Sequence, residues 1–171
     1  MSVDPNALHA LASDRWETTM TRVELHDRTV QLVRRALAAN GFDVQPGGRR
    51  AGARAAATRF DLLAADLTIA VRVAKRSVFQ WRVAVNGRRY TYRYTGHRWN
   101  LHTRGSTRLR PDVWIFVAAT KPLRYFVVPG SRVQGFYTLT LREPSKTWLL
   151  DYENQWQTLR ECTVQRNKKA A

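Results

Sequence analysis

Apolar residues recur at helical spacing most clearly near the start of the chain. Val23, His26, Val30, Val33 and Leu37 stand three or four positions apart and predict a helix with one buried face. Ahead of them, Thr21-Arg22-Val23-Glu24 reads as a capping box, in which Glu24 reaches back to the backbone N–H of the cap residue. Arg34 and Arg35 are expected in the last turn, where cations complement the helix dipole. Asn40-Gly41 ends the helix, and Phe42 is available for the apolar contact that follows a glycine stop. A short helix is expected earlier, with Asp4 as N-cap and Pro5 in the first helical position.

Beyond Phe42 the period changes from helical to two. A short strand is expected around residues 42–45, then two more near 59–64 and 67–75, joined as a hairpin at Ala65-Asp66. In the second of these, Ile69, Val71 and Val73 alternate as β-branched residues. Residues 81–85 and 88–94 flank Asn86-Gly87, a strong hairpin signal. Tyr90, Tyr92 and Tyr94 share one face of that hairpin and are expected to cover the sheet, with Arg89 and Arg93 on the other. A polar loop with His97, Arg98, His102, Arg104, Arg108 and Arg110 leads to apolar strands at 113–118 and 124–128. A short helix is expected from Ser131, and another over residues 151–159. This order predicts one α/β domain, a central mixed sheet flanked by helices, over residues 21–162. Residues 1–20 form an N-terminal extension and 163–171 a frayed basic tail, with Lys168 and Lys169.

Charge sharpens this picture. The 171 residues carry 29 Lys and Arg against 13 Asp and Glu, a formal +16. That excess repels itself in a folded chain and is relieved by a polyanion, most commonly nucleic acid. Arginine outnumbers lysine and suits bidentate phosphate contacts. A genome rich in Ala and Arg codons would also raise the charge, but would not explain so few acids. Six Trp, six Tyr and six Phe argue for a folded interior rather than a basic disordered tail. The lone Cys162 excludes an internal disulfide and a cysteine zinc cluster, and the N-terminus lacks the pattern of a signal peptide. With no segment apolar enough to span a bilayer, a cytoplasmic protein without a membrane partner is expected.

From residue 23 to 129 the order of elements resembles the PD-(D/E)xK, or restriction-endonuclease-like, nucleases. Four stretches carry the resemblance: Val23-Glu24-Leu25-His26 on the helix, Phe60-Asp61-Leu62 in a strand, Val71-Arg72-Val73-Ala74-Lys75 in the next, and Asp112-Val113-Trp114-Ile115 followed by Tyr125-Phe126-Val127-Val128-Pro129. The resemblance implies that Asp61, with Glu24 assisting, holds Mg²⁺ and that Lys75 helps activate water against a phosphodiester. Asp61, Glu24 and Lys75 are thus the candidate catalytic residues, and Asp61 and Glu24 the metal ligands.

The pattern departs from the family at one point. With Lys75 as the family lysine, Val73 takes the place of the second acid; a shift of one puts Arg72 there and Ala74 in the lysine position. Either way a carboxylate is missing, so a nucleic-acid-binding protein with lost or weakened cleavage is expected. Arg49, Arg50 and Arg54 in a glycine-containing loop, with Arg72, Lys75, Arg76, Arg98 and Arg104, are the expected phosphate contacts. DNA is the expected partner, and a homodimer is in keeping with folds that act on duplexes.

Bland readings stand beside these. Glu24 serves as a capping residue, Asp61 pairs with Arg59 or Arg72, and His97 and His102 are hydrogen-bonding loop residues. Trp81, Trp99 and Trp114 are expected in the core, although one exposed ring could stack on an unpaired base. An active Mg²⁺-dependent endonuclease, and a basic structural protein docking on RNA or an acidic protein, are the rival functions.

Overall fold

The computed structural model describes residues 20–48, 60–101, 110–143 and 147–170. Helix α1 spans Arg22–Ala39. Its capping box forms as expected: the Glu24 amide donates to Thr21 Oγ1, and the Thr21 amide donates back to Glu24 Oε2 at 2.8 Å. At the other end the Phe42 amide bonds to Leu37 O and the Gly41 amide to Ala38 O, the paired pattern that closes a helix on a left-handed residue. The buried stripe is Leu25, Thr29, Leu32, Val33, Ala36 and Leu37. It is rotated from the predicted one, leaving Val23 exposed. Arg34 and Arg35 fall short of the last turn, which contains no basic residue.

Strands follow as β1 (Val44–Pro46), β2 (Leu62–Ala64), β3 (Leu67–Lys75), β4 (Ser77–Val85), β5 (Arg88–Asn100), β6 (Val113–Ala119), β7 (Arg124–Pro129) and β8 (Thr138–Glu143). One sheet has the order β1-β2-β3-β6-β7, antiparallel except for the parallel β3–β6 pair. The other has the order β4-β5-β8 and is antiparallel throughout. Both predicted hairpin turns form, with positive φ at Ala65 and Asp66 and again at Asn86 and Gly87. The mixed-sheet α/β domain is as expected.

The five-stranded sheet is buried on both faces at its centre, β3 and β6, which explains why β6 reads as an unbroken apolar run. On one side Ile69, Val71, Val113, Ile115 and Val117 pack with Leu25, Val33 and Leu37 of α1 and with Leu159. On the other, Trp114, Phe116, Phe126 and Val128 pack with Trp99, Leu139 and Leu141 of the second sheet. The Trp99 indole N–H donates to Val117 O at 3.1 Å and ties the two sheets together.

Three expectations need correction. His97 and Arg98 lie within β5 rather than in a loop, because β5 continues to pair with β8 after it passes the end of β4. At that root Gly96 faces Arg142, and a Cβ there would run into the Leu141 carbonyl. Trp81 is exposed, whereas Trp99 and Trp114 are buried. The closing segment is a 3₁₀ turn at Trp148–Tyr152 and then helix α2, Gln157–Ala170, so the expected basic tail continues a helix. Residues 1–19 of the N-terminal extension and the loop of Arg49, Arg50 and Arg54 lie outside the described residues, as do Arg59, His102, Arg104 and Arg108.

Candidate nucleic-acid interface

Asp61 is the one candidate catalytic acid that the fold holds firmly. Its backbone is pinned from both sides: its amide donates to Ile69 O at 2.9 Å, and its carbonyl accepts from Gly47 N at 2.8 Å. Only glycine permits that second approach, since a Cβ at position 47 would strike the Phe60 and Asp61 carbonyls. The side chain is equally committed. Oδ2 accepts the Val71 amide at 2.7 Å and stands 3.5 Å from Arg72 Nη1. Oδ1 accepts from His26 Nε2 at 3.1 Å. Burial by itself pushes the carboxyl up, but the His26 and Val71 hydrogen bonds and the neighbouring charges outweigh it, and Asp61 titrates below its ordinary value.

Arg72 is held just as closely. Its guanidinium donates to Val71 O at 2.7 Å and lies 5.2 Å from the centre of the Trp114 ring. Burial lowers its proton affinity, partly offset by the Asp61 charge. The Arg72 partner named for Asp61 is thus in place at 3.5 Å, while Arg59 lies outside the described residues.

Glu24 does not join this cluster. Two residues apart on a helix are about 200° apart around its axis, so Glu24 projects away from His26. Its carboxylate is bound to Thr21, whose backbone N–H lowers its proton affinity. The residue that sequence reasoning missed as a site residue is His26, which stands in the resemblance-bearing helix stretch but was given a place only on the buried face. Lys75 is exposed and stands four residues past Val71 along β3, about 13 Å at 3.3 Å per residue. Val73 packs half-buried against the helix-side core, and Ala74 is buried on the opposite side.

These residues do not fit the Mg²⁺ that the resemblance implies. That ion takes oxygen ligands in near-octahedral array, usually through more than one carboxylate or a substrate phosphate. Here one carboxylate is already satisfied and faces an arginine. Among the described residues no three His, Cys, Asp or Glu side chains converge as a metal cluster.

A second basic region lies in the β4–β5 hairpin. β8 pairs only with residues 95–100 of β5, so residues 77–94 project as a two-stranded ribbon. None of residues 77–95 is buried. Residues 77–98 contain five arginines and no acid. Arg82, Arg88, Arg89 and Arg93 have no ion-pair partner among the described residues. Lys75 and Arg76 sit at the root of the ribbon, with Arg76 bound to Glu143 at 3.2 Å.

The structure is similar to a bacterial homing endonuclease, I-Ssp6803I, with a TM-score of 0.53 and 17% identity over 88% of this chain and 99% of that one. The fold is nuclease-like. The sequence matches no protein-family model and no curated protein. No helix among the described residues is long and apolar enough to cross a membrane. Within the nuclease-like frame, the Asp61 cluster and the arginine ribbon divide the chain's chemistry between them.

Proposed function

We infer that the protein binds nucleic acid, most simply DNA, through phosphate contacts on a nuclease-like scaffold whose cleavage chemistry is lost or strongly weakened. The carrying observation is how charge is distributed. Asp61, Asp112, Glu143 and Glu153 each face an arginine in the body of the protein. Among the described residues, Arg82, Arg88, Arg89 and Arg93 of the ribbon face none. A carboxylate neutralised by arginine is poorly placed to recruit a metal, whereas unpaired arginines on a projecting ribbon suit phosphates or a major groove. The loop of Arg49, Arg50 and Arg54 adds to this grip, in keeping with its composition.

The test incubates purified protein with labelled duplex DNA in Mg²⁺, Mn²⁺ or EDTA, reading binding and cleavage together. Binding without cutting, unchanged by EDTA and weakened by salt, is expected, with a slope of about −0.9 per phosphate contacted. Metal-dependent cutting that Asp61→Asn or Lys75→Ala abolishes would overturn the proposal in favour of an active endonuclease. Salt-insensitive or absent binding would leave a structural role.

A further inference from the structure

The β4–β5 ribbon has two unlike faces. Register places Gln80, Arg82 and Ala84 on one face with Arg89, Thr91 and Arg93. On the other, Phe79 opposes Tyr94, Trp81 opposes Tyr92, Val83 opposes Tyr90 and Val85 opposes Arg88. Phosphate contacts account for the first face. They do not account for the second.

Near the root of the second face the rings are used by the fold. Phe79 and Tyr94 stack at 5.3 Å. Arg98 lies 4.3 Å over Phe79 and donates to the Tyr94 hydroxyl at 2.8 Å, while Arg142 stands 4.6 Å from the Tyr94 ring. Further out the arrangement opens. Trp81 is 54% exposed, Tyr92 55% and Tyr90 42%. Among the described residues no other ring packs on any of these three, and only the Arg142 guanidinium reaches Trp81, at 5.7 Å. Cross-strand aromatic pairs stabilise a ribbon when the rings touch. Trp81 and Tyr92 are directly opposed yet form no ring contact.

We propose that this outer aromatic face is a stacking platform for unpaired bases, so that the target of the protein includes a single-stranded segment. The proposal rests on the nucleic-acid reading above and specifies the form of nucleic acid. Every base has a flat π-face, so aromatic rings hold single strands without reading sequence, whereas a closed duplex keeps its base faces stacked on one another. Same-face side chains recur every two residues, roughly 6.8 Å along a strand, about twice the 3.4 Å stacking interval. Rings in such a row can alternate with the bases of an extended strand. The charge is complementary as well. Arg88 lies at the tip of the aromatic face, Arg98 and Arg142 at its root, and the ribbon itself has no acid to repel a phosphate.

The deciding measurement is fluorescence anisotropy of labelled oligo-dT and of a mixed-sequence duplex of equal length, with wild type, Trp81→Ala/Tyr92→Ala and Trp81→Phe/Tyr92→Phe. Circular dichroism and a thermal melt confirm that each variant is folded. The alanine pair is expected to weaken oligo-dT binding roughly 100-fold, about 10-fold per ring, and to leave duplex binding nearly unchanged. The phenylalanine pair, which keeps the rings, restores most of the loss. A folded alanine variant that binds oligo-dT like wild type overturns the platform, as does an equal loss on both probes. Phosphatidylserine vesicles captured through these rings, with oligo-dT binding untouched, overturn it too. Wild type that binds duplex but not oligo-dT sinks this proposal alone; wild type that binds neither sinks the nucleic-acid reading with it.

Discussion

Arg72 and Arg89 place the same guanidinium in opposite circumstances. Arg72 is largely buried, faces Asp61, bonds to Val71 O and lies against Trp114. Arg89 stands on an exposed stretch of β5 with no ion-pair partner among the described residues. An arginine held on three sides is part of the packing, and its charge has already been met. One left open in a ribbon costs the fold little and keeps its charge for a partner. The arginine count of the sequence merges these two populations, and only three-dimensional placement separates them.

The largest effect expected from breaking that contrast lies in the body. Asp61→Ala removes the acceptor for the Val71 amide and for His26 and strands Arg72 without its counter-charge. A loss of about 3 kcal/mol is expected in urea unfolding. A loss under about 0.5 kcal/mol, the usual range for a surface substitution, would show that the cluster is not structural. In the ribbon the balance reverses. Arg82→Ala/Arg89→Ala/Arg93→Ala is expected to leave the melting temperature nearly unchanged while flattening the salt slope of DNA binding by about 2.7. An unchanged slope would remove this face from the interface.

The smallest effect sharpens the comparison at the junction between the two regions. His97 is fully buried at the root of the ribbon, and neither ring nitrogen has a hydrogen-bond partner among the described residues. Among the described residues its nearest acid is Glu143, 3.8 Å from Nδ1 and too far for a hydrogen bond. Burial lowers its proton affinity, with Glu143 opposing and Arg124 and Arg76 reinforcing. Its contribution to stability is therefore complete above the unfolded value of 6.5 and is lost as pH falls from there through the lower folded value, because only the unfolded chain takes up the proton. His97→Leu should be neutral or slightly stabilising at pH 7 and should flatten the decline in melting temperature below about pH 6.5. Parallel pH profiles for the two proteins would exclude His97 as its source.

Much of the frame was legible in the sequence because its signals are local. The capping box, the glycine stop after α1, both two-residue hairpin turns and the bounds of β3 follow from residues adjacent in the chain. The site was less legible because its signals are not local. Asp61 could be singled out as a carboxylate in an apolar stretch, but whether it would meet a metal, Arg59 or Arg72 depended on how the strands pair. His26 was hidden because a histidine at helical spacing looks like core. The tyrosine row shows how far periodicity reaches: alternation fixes that Tyr90, Tyr92 and Tyr94 share a face, and says nothing about whether another layer covers it. β8 is not legible in the sequence because Thr138–Glu143 is short and its neighbour is the root of β5, far away in the chain.

The way the ribbon leaves the body has a consequence for how such a protein can change. It departs after β3 through the single residue Arg76 and returns at Gly96, where the Leu141 carbonyl leaves no room for a side chain. Between those anchors nothing is buried. The segment can therefore be rewritten, or exchanged for another of matching register, without repacking either core. The surface those nineteen residues present is free to change while both cores keep their packing.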